Sequence, residues 1–107
     1  MKTLTFKDFT WRSIHHIPSK FGAAANPHWH TYRARLYFEG APDQDMLSKE
    51  IERLFVGLHG AAINAYIQPD TSDESVAIWM MTEAQKIGKC VKVVLENDYQ
   101  RGAEVTA

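Results

Sequence analysis

The sequence predicts an α+β domain. It should be an antiparallel sheet of four strands with two helices on one face, in the order strand, strand, helix, helix, strand, strand (ββααββ). Three observations predict it. Two long runs with a period of two fill the N-terminal third, two segments of helical period fill the middle, and a valine-rich run near the C-terminus is followed by a short last one. Strands and helices that come in blocks, rather than alternating, suit helices segregated to one face of an antiparallel sheet.

The first strand covers residues 3 to 14, rich in Thr, Phe, Trp and Ile. Leu4 and Phe6 share one phase and Phe9 and Trp11 the other, which predicts a bulge at Lys7-Asp8. His15-His16 close the strand. Pro18, Gly22, Asn26 and Pro27 mark residues 18 to 27 as a loop. Residues 28 to 39 alternate without interruption. His28, His30, Tyr32, Ala34, Leu36 and Phe38 fall on one face, with Trp29, Thr31, Arg33, Arg35, Tyr37 and Glu39 on the other. Gly40-Ala41-Pro42-Asp43 breaks that strand. Leu47, Ile51, Leu54, Phe55 and Leu58 then recur at helical spacing, and Gly60 is a natural stop. A linker runs from Ala61 to Asp70. Thr71-Ser72-Asp73-Glu74 has the spacing of a capping box, so a second helix begins near Thr71. Val76, Trp79, Met80, Ala84 and Ile87 form its buried stripe, and Gly88 ends it. Cys90 to Glu96 is a third strand, and residues 99 to 106 a short fourth.

The length of 107 residues predicts a single domain, 1–107, whose thin stability margin assembly into a homo-oligomer would widen. The net charge of −1, without clustered Lys or Arg, argues against a nucleic-acid or membrane-surface footprint. No apolar run is long enough to span a bilayer. The first eight residues lack the apolar core of a signal peptide, and the one cysteine, Cys90, excludes an internal disulfide. A cytoplasmic protein is expected.

Four of the five histidines lie between residues 15 and 30. His28-Trp29-His30 on a strand points both rings to one face, about 6–7 Å apart, within reach of one metal ion. If the first two strands pair as a hairpin, His15 and His16 lie beside that pair. Zinc in chemical sites takes three such ligands and keeps one position open. On these residues alone, a metal site and a set of ordinary strand histidines remain equal alternatives.

Five ordered segments resemble the 6-pyruvoyl- and 6-carboxy-tetrahydropterin synthase family. Trp11-Arg12-Ser13-Ile14-His15 is similar to its F-x-A-A-H, and His28-Trp29-His30-Thr31-Tyr32 to its H-G-H-N-Y. Leu58-His59-Gly60-Ala61-Ala62-Ile63-Asn64 is similar to L-D-H-x-x-L-N, Glu74-Ser75-Val76-Ala77 to E-N-L-A, and Val91 to Glu96 to V-x-V-x-E-T. The resemblance implies the tunnelling fold, assembly as a trimer or dimer of trimers, and a Zn²⁺ ion on His15, His28 and His30. It implies a lyase-type activity on 7,8-dihydroneopterin triphosphate or a related pterin, which in bacteria feeds queuosine synthesis. Glu96 matches the carboxylate that anchors the pterin ring, whose amino and ring N–H groups a carboxylate accepts in pairs. Thr71 and Ser72 fall near the family's pterin-contacting turn, although helix capping accounts for them equally well.

The catalytic groups depart from the pattern. Ala24 stands where the family has its cysteine. Cys90, on the third strand, reads as a small buried side chain. The family's Asp-His pair falls on His59-Gly60. His59 either acts as acid or base or sits favourably at a helix C-terminus. The reading is therefore a zinc-dependent pterin synthase-like protein with an altered centre. The alternative is a zinc- and pterin- or purine-binding homologue that does not catalyse.

Overall fold

The computed structural model describes residues 1–17, 22–40, 43–67 and 70–107. The strands are β1 (Thr5–His15), β2 (His28–Phe38), β3 (Cys90–Asn97) and β4 (Gly102–Thr106), and the helices are α1 (Gln44–Phe55) and α2 (Asp73–Ala84). The sheet is antiparallel throughout, with spatial order β1-β2-β3-β4, so the predicted ββααββ arrangement is the one observed.

Side chains of period two line the inner face of the sheet. Phe9, Trp11, Tyr32, Ala34, Leu36, Phe38, Val93 and Leu95 are buried there. Leu47, Ile51 and Phe55 of α1 and Val76, Ala77, Met80 and Ala84 of α2 complete the same core. Trp11 stacks on Tyr32 with ring centroids 4.9 Å apart.

The bulge expected at Lys7-Asp8 is absent. β1 pairs with β2 in one register from Thr5↔Phe38 to His15↔His28, and the irregularity lies instead between Tyr37 and Phe38 where β2 meets β3. Phe6 is simply an aromatic on the outer face, beneath the Arg35 guanidinium at 4.1 Å. Lys7 holds the inward phase and reaches Glu52 of α1 at 3.2 Å.

The start of α2 is also one residue later than the capping-box pattern implied. Ser72, not Thr71, is the N-cap, accepting from the Ser75 N–H, while the Thr71 hydroxyl donates to the His16 carbonyl at 2.6 Å. A long-range contact took the first hydroxyl and the adjacent serine took the cap. Trp79 is only half-buried, and Ile87 packs on the core from beyond the end of α2. The linker after α1 is partly ordered by a bridge between Ile14 and Ala62 and a short 3-10 turn, Ile63–Ala65. β4 begins at Gly102, three residues later than expected, because residues 98–101 make the turn. Of the predicted loops, residues 18–21, Ala41-Pro42 and residues 68–69 lie outside the described residues.

Candidate metal centre

The register of the first hairpin builds the site. His15 is the last residue of β1 and lies directly across from His28, the first of β2. His30 follows on the same face, opposite Ser13, so it is the diagonal neighbour of His15. The ring centroids are 4.5 Å apart for His15–His28, 5.1 Å for His15–His30 and 4.8 Å for His28–His30. One ring nitrogen from each of the three lies within 4.8 Å of those of the other two.

Hydrogen bonds identify which nitrogen. His15 Nδ1 meets the Thr71 carbonyl at 3.0 Å, His28 Nδ1 meets the Asn26 carbonyl at 2.7 Å, and His30 Nδ1 meets Asp98 Oδ1 at 2.7 Å. All three partners only accept, so each Nδ1 must carry its hydrogen. In the neutral ring, Nε2 is then left with the lone pair on every histidine. The buried Nε2 of His15 has no hydrogen-bond partner among the described residues. His15 and His30 are 4% and 5% exposed, so water does not substitute freely there.

The electrostatics of His15 agree with a neutral ligand. Burial is the largest influence on His15. Together with the neighbouring His28, His30 and His16 it outweighs the bond to Thr71 and brings the pKa down to about 4. A buried, neutral, unpartnered imidazole nitrogen facing two others fits a divalent cation, which needs deprotonated donors. The bond from His30 holds the Asp98 carboxyl below its ordinary range. It is the carboxylate–histidine arrangement that orients metal ligands. We expect Asp98→Asn to weaken metal binding about 10–100-fold while the fold is retained, as read by competition with a chromophoric chelator.

The three histidines open onto a cavity of about 400 Å³. Its remaining wall is Ile17, the first turn of α2 (Ser72, Asp73, Glu74) and the β3–β4 turn (Asn97, Arg101, Gly102). Sequence reasoning missed Asp73, Asp98 and Arg101. The only cue was that Asn97-Asp98 punctuates the chain.

The other expected site residues are not gathered in the same way. Ser72 lines the cavity. Thr71 is fully buried behind it, with its carbonyl on His15 and its hydroxyl on His16. Glu96 pairs across the strands with Arg33, to which it forms an ion pair at 2.8 Å, and so faces the side of the sheet away from the histidines. His59 is exposed, with its ring packed on Phe9 at 5.2 Å, and does not line the cavity. Cys90 is buried, pairs with Phe38 at the far end of the sheet, and has its thiol pushed up by burial.

Comparison with known proteins gives one kind of match. No family model matches the chain, and no curated protein does. Among solved structures, the chain is similar to 6-pyruvoyl tetrahydropterin synthase of Caenorhabditis elegans, with a TM-score of 0.76 over 98% of this chain and 95% of that one. The identity is 14%, so the likeness shows the fold. The chain has the tunnelling-fold architecture of that synthase.

Proposed function

We propose that the chain is a zinc-dependent, pterin-handling protein of the 6-pyruvoyl/6-carboxy-tetrahydropterin synthase type, with an altered catalytic centre. The observation that carries this reading is the convergence of three imidazole nitrogens, one of them buried and without a partner among the described residues, on a fold shared with such a synthase. His15, His28 and His30 hold the ion through Nε2. Thr71, Asn26 and Asp98 keep each ring turned towards it. Zinc bound there supplies a Lewis acid that acidifies a ligand hydroxyl. Ser72 is the side chain we assign to ligand contact, with Thr71 acting through His15.

Glu96 and His59 have a part in this reading only between copies of the chain. Each lies away from the cavity of its own subunit, so a pterin anchored by Glu96, or a proton moved by His59, belongs to a site completed in a homo-oligomer. The second reading, a non-catalytic binder of zinc and a pterin or purine, is favoured by Ala24 at the cysteine position and by His59-Gly60 where the Asp-His pair falls.

Protein purified without a histidine tag should carry about one zinc per chain by elemental analysis. Less than a tenth of an equivalent would remove the zinc reading. Incubation with 7,8-dihydroneopterin triphosphate and identification of the product should show slow conversion, because a displaced acid–base group forfeits about 10²–10⁴-fold. Rapid conversion that survives His59→Ala would exclude His59 as that group. Binding without any conversion would select the second reading.

A further inference from the structure

Most groups that face the cavity are already committed. The imidazoles have their outward N–H bonds, that of His30 going to Asp98 behind the cavity wall. Ser72 caps α2. Arg101 has no acceptor atom in its side chain. Glu74 is exposed, and no described hydrogen bond fixes its carboxylate.

Asp73 differs from all of these. Its Oδ2 accepts from Asn97 Nδ2 at 2.9 Å, and Asn97 cannot flip, because its Oδ1 accepts from the Tyr99 backbone N–H at 2.9 Å. The other oxygen, Oδ1, meets no donor among the described residues. Across the same cavity lies the unpartnered Nε2 of His15, itself 4% exposed. The histidines form the candidate ligand set without Asp73. Here, then, is a carboxylate anchored through one oxygen, with the other unbonded, in the wall of the cavity that the three histidines line but outside their ligand set.

We propose that Asp73 is the proton acceptor of this site, taking the proton of an O–H group that a ligand brings to the metal. The O–H bond breaks, its electron pair stays on the ligand oxygen, and the proton passes to the free oxygen of Asp73, which becomes a neutral carboxylic acid. In the metal-free chain, half-burial holds the Asp73 carboxyl above its ordinary range, against the opposing pulls of His30, Asn97 and Arg101. The proposal rests on the metal part of the reading above and not on the identity of the ligand. It gives the chain an acid–base group in place of the thiol absent at Ala24.

The test uses zinc-loaded wild type, Asp73→Asn and Asp73→Ala. Each is titrated calorimetrically with acetohydroxamic acid, which must lose an O–H proton to bind zinc as its anion, and with azide, which has none to lose. Asparagine keeps the shape of aspartate but cannot take a proton. Acetohydroxamate should bind at least about tenfold more weakly to both variants, the contribution of a hydrogen bond to a charged group. Azide affinity and zinc content should be unchanged. Unaltered acetohydroxamate affinity overturns the proposal. So does an equal loss of azide affinity or a loss of zinc, either of which makes Asp73 part of the metal's own support. If wild type binds zinc but no dihydroneopterin triphosphate, the pterin reading falls and the hydroxamate result still decides on Asp73. If wild type holds no zinc, both fall.

Discussion

His15→Ala should abolish stoichiometric metal binding and leave a folded protein. Complete protein sites for zinc provide roughly 10–16 kcal/mol, so one ligand of three accounts for about 3–5 kcal/mol, or about 10²–10⁴ in affinity. His15 is the most informative of the three to remove. Its Nε2 is buried with no partner among the described residues, and an unsatisfied buried acceptor costs about 1–3 kcal/mol in the metal-free chain. Metal binding relieves that penalty only in the wild type. Zinc at about 1,000 times its dissociation constant should therefore stabilise wild type by about 4 kcal/mol, and at roughly 4 °C or more per kcal/mol the midpoint rises by well over ten degrees. The same zinc concentration is only about 0.1–10 times the dissociation constant of His15→Ala, so it should stabilise that variant by about 1.4 kcal/mol at most, and the midpoint should rise by no more than about a third as much as in wild type. Scanning calorimetry with and without zinc reads both. An equal rise in the two proteins would mean that the stabilising metal sits elsewhere. His16→Ala is the control, because the recorded hydrogen bonds of His16 are made by its backbone N–H and carbonyl, to Asn64 and Thr71.

Much of this candidate site can be read along the chain, because its three histidines obey the two simplest strand rules. His28 and His30 share a face by alternation, and a hairpin closes His15 against His28. The supporting atoms cannot be read that way. Thr71 reaches His15 through a backbone carbonyl 56 residues away, and a carbonyl leaves no mark on the residue type. Asp98 reads as a turn residue, and only the folded turn aims it at His30. Phe6 misled the phase of β1 because an aromatic on the outer face imitates a core position. Thr71 and Ser72 are chemically equivalent caps, and only the contact with His16 separates them. The face of Glu96, by contrast, was within reach of alternation alone. Val93 and Leu95 point inwards, so Glu96 points outwards.

Gly102→Ala should be the most damaging single methyl addition near the site. Gly102 opens β4 opposite Glu96, where the two strands of the last hairpin approach closely. A Cβ at this position would run into the carbonyl oxygen of Leu95. It would also stand 2.7 Å from the Leu95 carbonyl carbon and 2.9 Å from Glu96 Cα, all of them backbone atoms that cannot swing away. The hairpin must separate to admit it. Ala103 and Val105, which pack on the core from β4, would then lose part of their burial. We expect a loss of about 3 kcal/mol or more, in the range of overpacking against fixed structure, as a lowered urea midpoint. The damage should also reach the metal. The same turn, closed by the Asn97 N–H on the Arg101 carbonyl at 2.7 Å, carries Asp98 to His30 and Asn97 to Asp73. Zinc affinity should fall by at least the 10–100-fold expected of Asp98→Asn, because the whole support moves rather than one oxygen. Arg101→Ala, which alters an exposed side chain of that turn, should change stability by no more than about 0.5 kcal/mol. A Gly102→Ala protein as stable as wild type would show that the hairpin yields at that point, and that the turn holds Asp98 less firmly than its backbone bonds imply.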